Sequence, residues 1–199
     1  MPGCDITAGR IEQCKDSVSG LKAMYLINYE DLNSDSPTYV TYGTGDNVDE
    51  ITDWIPVDDT TQLTLYKFEL KSTANSFTTA INSSRDNGTT FFEQTLVAAL
   101  KRQDVVTHKN VKLLAYGRPR IIVRTMTDQF FLMGLDQGAD VSAGEISSGA
   151  ALGDFNGYSL TFTAQEELPA NFLLASSEAA LKTLFNNSAG DAIINDGTV

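Results

Sequence analysis

NGTTFFEQTLVAAL, residues 87–100, decides the fold. As a helix, Phe91, Phe92, Thr95, Leu96, Ala99 and Leu100 share one face. As a strand, 89–100 is the return arm of a hairpin, because Asn87-Gly88 tolerates positive φ and turns the chain tightly. The preceding stretch 76–82 is rich in Phe, Thr and Ile, which suit a pleated surface, and supplies the first arm. The turn gives the strand a mechanism that the helix lacks. The expectation is therefore a mainly β chain.

Neighbouring segments extend that pattern. Leu63, Leu65, Lys67 and Glu69 alternate with Thr64, Tyr66, Phe68 and Leu70 over 62–71, and Tyr158, Leu160, Phe162 and Ala164 alternate with Ser and Thr over 158–165. In the strand at 21–29, Leu21, Ala23, Tyr25, Ile27 and Tyr29 form one side, while Met24 and Leu26 keep the other from being polar. Strands at 120–127 and 129–135 meet at a short turn, Thr127-Asp128, and 137–142 is a further candidate. One interior helix is expected at 104–116. Asp104 caps it, Val105, Val106, Leu113 and Leu114 give its apolar side, and Gly117 with Pro119 ends it.

Gly- and Ser-rich 142–159 reads as a flexible or binding loop. A capped helix is expected at 177–185, followed by a tail that is mobile or docks on a neighbour. The organisation is an N-terminal arm at 1–19, a β domain at 20–172 with an acidic loop at 30–60 (a short hairpin near Tyr39–Tyr42 possible within it), and a C-terminal helix and tail at 173–199.

Charge is sorted along the chain. Between Asn28 and Asp59 stand Glu30, Asp31, Asp35, Asp46, Asp49, Glu50, Asp53, Asp58 and Asp59, without a Lys or Arg. Between Lys101 and Met126 stand Lys101, Arg102, Lys109, Lys112, Arg118, Arg120 and Arg124 against Asp104 alone, inside a chain of net charge −12. These seven basic residues are the candidate subunit interface, since matched charge fixes partner and register. Net acidity argues against general affinity for nucleic-acid phosphates, although an acidic wall suits DNA that must slide past without sticking.

No motif points to catalysis. His108 is the only histidine, on the expected helix among lysines, and no nucleophile elbow, paired-histidine zinc motif or phosphate-cradling loop occurs. The acids around Asp46 lack the alternation, central Gly and distal Glu of a calcium loop. Cys4 and Cys14 fit no zinc spacing and read as free thiols, a later disulfide being the alternative. No enzyme activity, cofactor or metal is expected. No apolar run is long enough to span a bilayer and the start lacks a secretory hydrophobic region, so a soluble cytoplasmic product is expected.

Several stretches resemble phage tail and tail-tube virion proteins: CDITAGRIEQCKDSVSGLKAMYLINY from residue 4, NGTTFFEQTLVAALKRQD from 87, VKLLAYGRPRIIV from 111, and FFLMGLDQGADVSAGEISSGAALGDFNGYSLTFTAQEELPANFL from 130. The resemblance spans roughly 4–172 and skips most of the acidic insert and the C-terminal tail. It implies a tail-tube fold, a β-sandwich or barrel-like pair of sheets with a flanking helix. It further implies hexameric rings whose sheets join across subunits and stack into a DNA-conducting tube. The expected partners are then copies of itself and other tail or neck virion proteins, with DNA as passing cargo and no membrane. The expected location is the virion tail, after synthesis in the host cytoplasm. The hairpin around Asn87-Gly88 and the N-terminal arm would contact stacked rings. The insert and the C-terminal helix depart from the generic tube and leave open a terminator, adaptor or baseplate ring component. A non-catalytic carbohydrate- or cation-binding β-domain is the alternative from another class.

Overall fold

The decisive stretch is a strand. The computed structural model describes residues 9–11, 15 and 17–197. Ser76–Ser84 (β5) and Thr89–Lys101 (β6) form an antiparallel hairpin from Ser84↔Thr89 to Ser76↔Val97. Four residues, 85–88, make the turn, and only Gly88 among them takes positive φ, at 63°. Strand order wins over helical spacing because alternate residues of β6, Leu96, Ala98 and Leu100, enter one core while Val97 and Thr95 stay outside it.

The other elements in chain order are β1 (Leu21–Ile27), β2 (Val40–Tyr42), β3 (Glu50–Trp54), β4 (Thr64–Glu69), α1 (Val105–Leu114), β7 (Arg120–Thr125), β8 (Phe130–Met133), β9 (Asp140–Ser147), β10 (Gly157–Glu166), β11 (Asn171–Leu173), α2 (Glu178–Leu184) and β12 (Ile193–Asn195). They make an eight-stranded mixed sheet, β12-β4-β1-β7-β8-β11-β3-β2, and a four-stranded antiparallel sheet, β5-β6-β10-β9. In the large sheet the β12–β4 and β11–β3 pairs are parallel. Among the described residues neither sheet closes into a barrel.

The large sheet is apolar on both faces. On one side Tyr25, Ile27, Ile122, Phe130, Leu132, Ile51 and Trp54 pack with Leu181, Leu184 and Phe185 of the C-terminal segment. On the other, Met24, Leu26, Ile121, Val123 and Met133 meet Leu96, Ala98, Tyr158, Leu160 and Phe162 of the small sheet. This explains Met24 and Leu26: a strand covered on both faces has no polar side to display.

Four expectations change. The acidic segment is not one long loop, because β2 and β3 pair within it and Leu32, Val40, Ile51 and Trp54 are buried. The Gly/Ser-rich 142–159 is half strand: β9 is a sheet edge where small residues fit, and a Cβ on Gly144 would stand 3.0 Å from the Leu160 side chain. The tail docks on its own chain, with Ile193↔Thr64 paired, Asn187 Nδ2 donating to the Asp58 and Thr61 carbonyls, and Ala192 buried. The supposed apolar side of α1 faces outward, since Val105, Val106 and Leu113 are exposed and the helix buries only Val111. Both helix caps are as expected, with Asp104 accepting from Thr107 N at 2.8 Å and Ser177 from Ala180 N at 3.2 Å. Cys4 and Cys14 lie outside the described residues.

Because Leu181 is fully buried against the large sheet, Leu181→Ala is expected to cost roughly 2–5 kcal/mol. Urea denaturation checks it, and a single transition that shifts as a whole shows α2 to be part of one cooperative unit.

Candidate assembly interface

The basic block is split by the fold. Arg120 is 2% exposed and belongs to the interior. Its Nε donates to Leu135 O at 2.8 Å, and its Nη1 to Tyr29 O at 2.6 Å and Leu32 O at 2.8 Å. The guanidinium lies 4.3 Å from the centre of the Tyr29 ring and 5.6 Å from that of Trp54. Burial works against its charge, while Tyr29, Asp136 and Glu166 favour it. Arg124 bonds Asp128 and Glu178. Arg120 is thus spent inside the fold, and Arg124, partly exposed, is already paired within its own chain. A cation opening the apolar run Ile121-Ile122-Val123 was the signal of an internal role.

The remaining candidates are exposed but dispersed. Lys101 ends β6 and donates to Lys71 O at 3.5 Å. Arg102 follows at φ 66°. Lys109 and Lys112 lie on α1, and Arg118 sits 4.1 Å over the Tyr29 ring. Lys101, Arg102, Lys109, Lys112 and Arg118 make no salt bridge among the described residues. The same holds for Glu30, Asp31, Asp35, Asp49, Glu50, Asp53, Asp58 and Asp59. The ion pairs that do form join Lys22 and Arg124 to Asp128, Lys67 and Arg124 to Glu178, and Lys71 to Glu69. Among the described residues, no ion pair therefore joins the acidic block to the basic one.

The internal network ties α2 to the large sheet. Tyr25 Oη donates to Glu178 Oε1 at 2.9 Å, beside Lys67 Nζ at 2.8 Å and Arg124 Nη1 at 3.0 Å. Burial pushes the Glu178 carboxyl up, but these three partners outweigh it and hold it below the ordinary range. Hydrogen bonds from Lys22 and Arg124 hold Asp128 low as well. Burial, then the bond to Glu178, pushes the Tyr25 phenol far up. Glu166 is raised by burial although its Oε1 accepts from Asp136 N and Gln137 N at 3.1 and 2.9 Å.

Sequence reasoning missed the small sheet's free surface. Among the described residues β5 pairs only with β6 and β9 only with β10, so strands of nine and eight residues present open backbone edges. The face turned away from the core carries Thr78, Thr95, Thr161 and Thr163 with Glu93, Asp140 and Glu145. Lys101, at the end of β6, is the only Lys or Arg on the strands of this face. His108 is exposed and its ring lies 6.2 Å from Tyr158. Among the described residues no three His, Cys, Asp or Glu side chains could hold a metal, and no helix is long and apolar enough to cross a membrane. No family model, curated protein or solved structure matches the chain. The geometry and charge just described are what bear on function.

Two outcomes test this arrangement. Arg120→Met leaves three buried carbonyls without a donor and is expected to cost about 3 kcal/mol or more by chemical denaturation. The second concerns acid. Glu178 and Asp128 titrate below their unfolded values, so their stabilisation is complete above the ordinary carboxylate range, near about pH 4, and is lost as pH falls through the lowered values. Glu166 acts with the opposite sign, its raised value favouring the folded state at low pH, but equally with and without Arg124. Arg124→Ala should therefore lose less stability than the parent between about pH 5 and about pH 2, read from denaturation midpoints at each pH.

Proposed function

We propose that the protein is a structural, non-catalytic subunit of a phage tail tube. Copies join through the small sheet into closed rings, hexameric as the tail-tube resemblance implies, and the rings stack into a conduit for DNA. The observation that carries this reading is the four-stranded sheet with two long unpaired edges, β5 and β9, and an almost cation-free polar face between them. Edge-to-edge pairing satisfies the open backbone groups of both strands and extends the sheet from copy to copy. Such a contact is head-to-tail, and it closes into a ring when the rotation between copies allows.

The chemistry of the outward face supports DNA as cargo. Thr and Ser side chains wet the surface, and Glu93, Asp140 and Glu145 repel phosphate. With Lys101 at one end its only Lys or Arg, the counterion release that holds DNA to a protein has little to work with. The β5–β6 hairpin suits contact between stacked rings, since Ile81 is 70% and Phe91 38% exposed near its tip. The finished protein would lie in the virion tail, among other tail or neck proteins.

Negative-stain electron microscopy and mass photometry test the reading in low and high salt. Rings or tubes of uniform width are the expected result, and a monomer under all conditions overturns it. Single rings that never stack point instead to a terminator or adaptor. Ala80→Lys with Ala143→Lys places a cation on each open edge strand, at positions exposed in the subunit. This variant is expected to fold and to form neither rings nor tubes.

A further inference from the structure

Helix α1 displays its apolar side to solvent. Val105, Val106 and Leu113 are 87%, 68% and 59% exposed, and Tyr116, just past the helix, is 86% exposed. Lys109 and Lys112 fall on the same side, and all five helical positions lie within about 120° of the helical wheel. A surface helix ordinarily turns such residues inward. Here the inward side holds only Val111, with Leu114 partly covered.

A surface of apolar lining and opposite charge lies elsewhere on the chain. Between β3 and α2 a cleft of about 910 Å³ is lined by Ile55, Leu174, Ala180 and Leu184, with Asp53 and Asp59 beside them. Leu174 is 55% exposed and Ile55 39%. Asp53 makes no side-chain hydrogen bond or ion pair among the described residues, whereas Asp59 accepts from Ser188. The helix and the cleft stand on opposite faces of the large sheet, since α1 packs into the core shared with the small sheet and α2 into the core on the other side. They cannot meet within one molecule.

We propose that α1 of one copy seats in the β3–α2 cleft of a second copy. The valines, Leu113 and Tyr116 cover the apolar floor, and Lys109 and Lys112 face Asp53 and Asp59. The contact is head-to-tail, because each copy offers a helix on one side and a cleft on the other. It rests on the reading of the chain as a self-assembling subunit but not on the edges of the small sheet. It also gives the acidic insert, which the family resemblance skips, a partner of its own.

Charge exchange tests it. Lys109→Glu with Lys112→Glu reverses the helix, and Asp53→Lys, which removes no internal side-chain bond, cancels the charge of the cleft by setting a Lys beside Asp59. Circular dichroism melting verifies that both fold. By mass photometry and sedimentation in low salt, each alone is expected to associate about tenfold more weakly or worse than the parent. An equimolar mixture is expected to regain association, since the unaltered helix of the Asp53→Lys variant then meets the unaltered cleft of the other. If both variants assemble like the parent, this contact is overturned while the tube reading stands. If they fail alone, recover when mixed, and Ala80→Lys with Ala143→Lys still assembles, this contact stands and edge pairing falls. A parent that is monomeric throughout overturns both. Binding of the parent helix to anionic vesicles with no association between copies assigns α1 to a lipid surface and overturns the proposal.

Discussion

The guanidinium of Arg120 is the one buried cation among the described residues, and backbone carbonyls are its hydrogen-bond partners. Tyr29 and Leu32 follow β1, and Leu135 follows β8, so one side chain fastens two turns that leave the large sheet at neighbouring places. Around it the β8–β9 connection is held from the small sheet as well. Gln94 Oε1 of β6 accepts from Gly134 N at 3.1 Å, and Glu166 of β10 takes the next free amides. Gly134 and Gly138 make the turn possible: both have φ near +75°, and a Cβ on Gly134 would stand 2.6 Å from the Gly138 carbonyl carbon. The β8–β9 connection is thus held by donors and acceptors gathered at one corner, where a missing partner is expensive.

Much of the β architecture was legible because alternation and turn chemistry are local. The hairpin at Asn87-Gly88, the strands around Leu65 and Leu160, and both helix caps could be read from neighbouring residues. What escaped reading depends on distant partners. Trp54 is buried because Phe185 stacks near it, with ring centres 5.9 Å apart, and nothing close to Trp54 announces that. Small residues in β9 looked unfit for a core because an edge strand needs few large ones. The outward turn of Val105 and Val106 has the same origin: periodicity places residues on one side of a helix without saying which side the rest of the fold will cover. For the candidate interface the sequence located the charge blocks, and only the fold could separate Arg120 and Arg124 from Lys109 and Lys112.

Charges that neutralise one another inside the subunit come from outside the acidic block: Asp128, Glu178 and Glu69 serve as the anions. The acidic block is left facing water, where exposed carboxylates cost little but repel one another. Such an arrangement favours dispersal of single copies at low ionic strength unless the basic block of another copy is brought close. Salt then acts on two opposing effects, screening the repulsion and the attraction alike.

The two sheets differ in how they end. The large one stops at β2 and β12, each three residues long, whereas the small one stops at strands of nine and eight residues. Short terminal strands offer few backbone groups to a newcomer, so among the described residues the eight-stranded sheet presents little open edge. Among the described residues, long open edges belong to the four-stranded sheet alone. If copies pair there as proposed, strand pairing extends along one layer and in one direction, so the larger sheet takes no part in mismatched pairing.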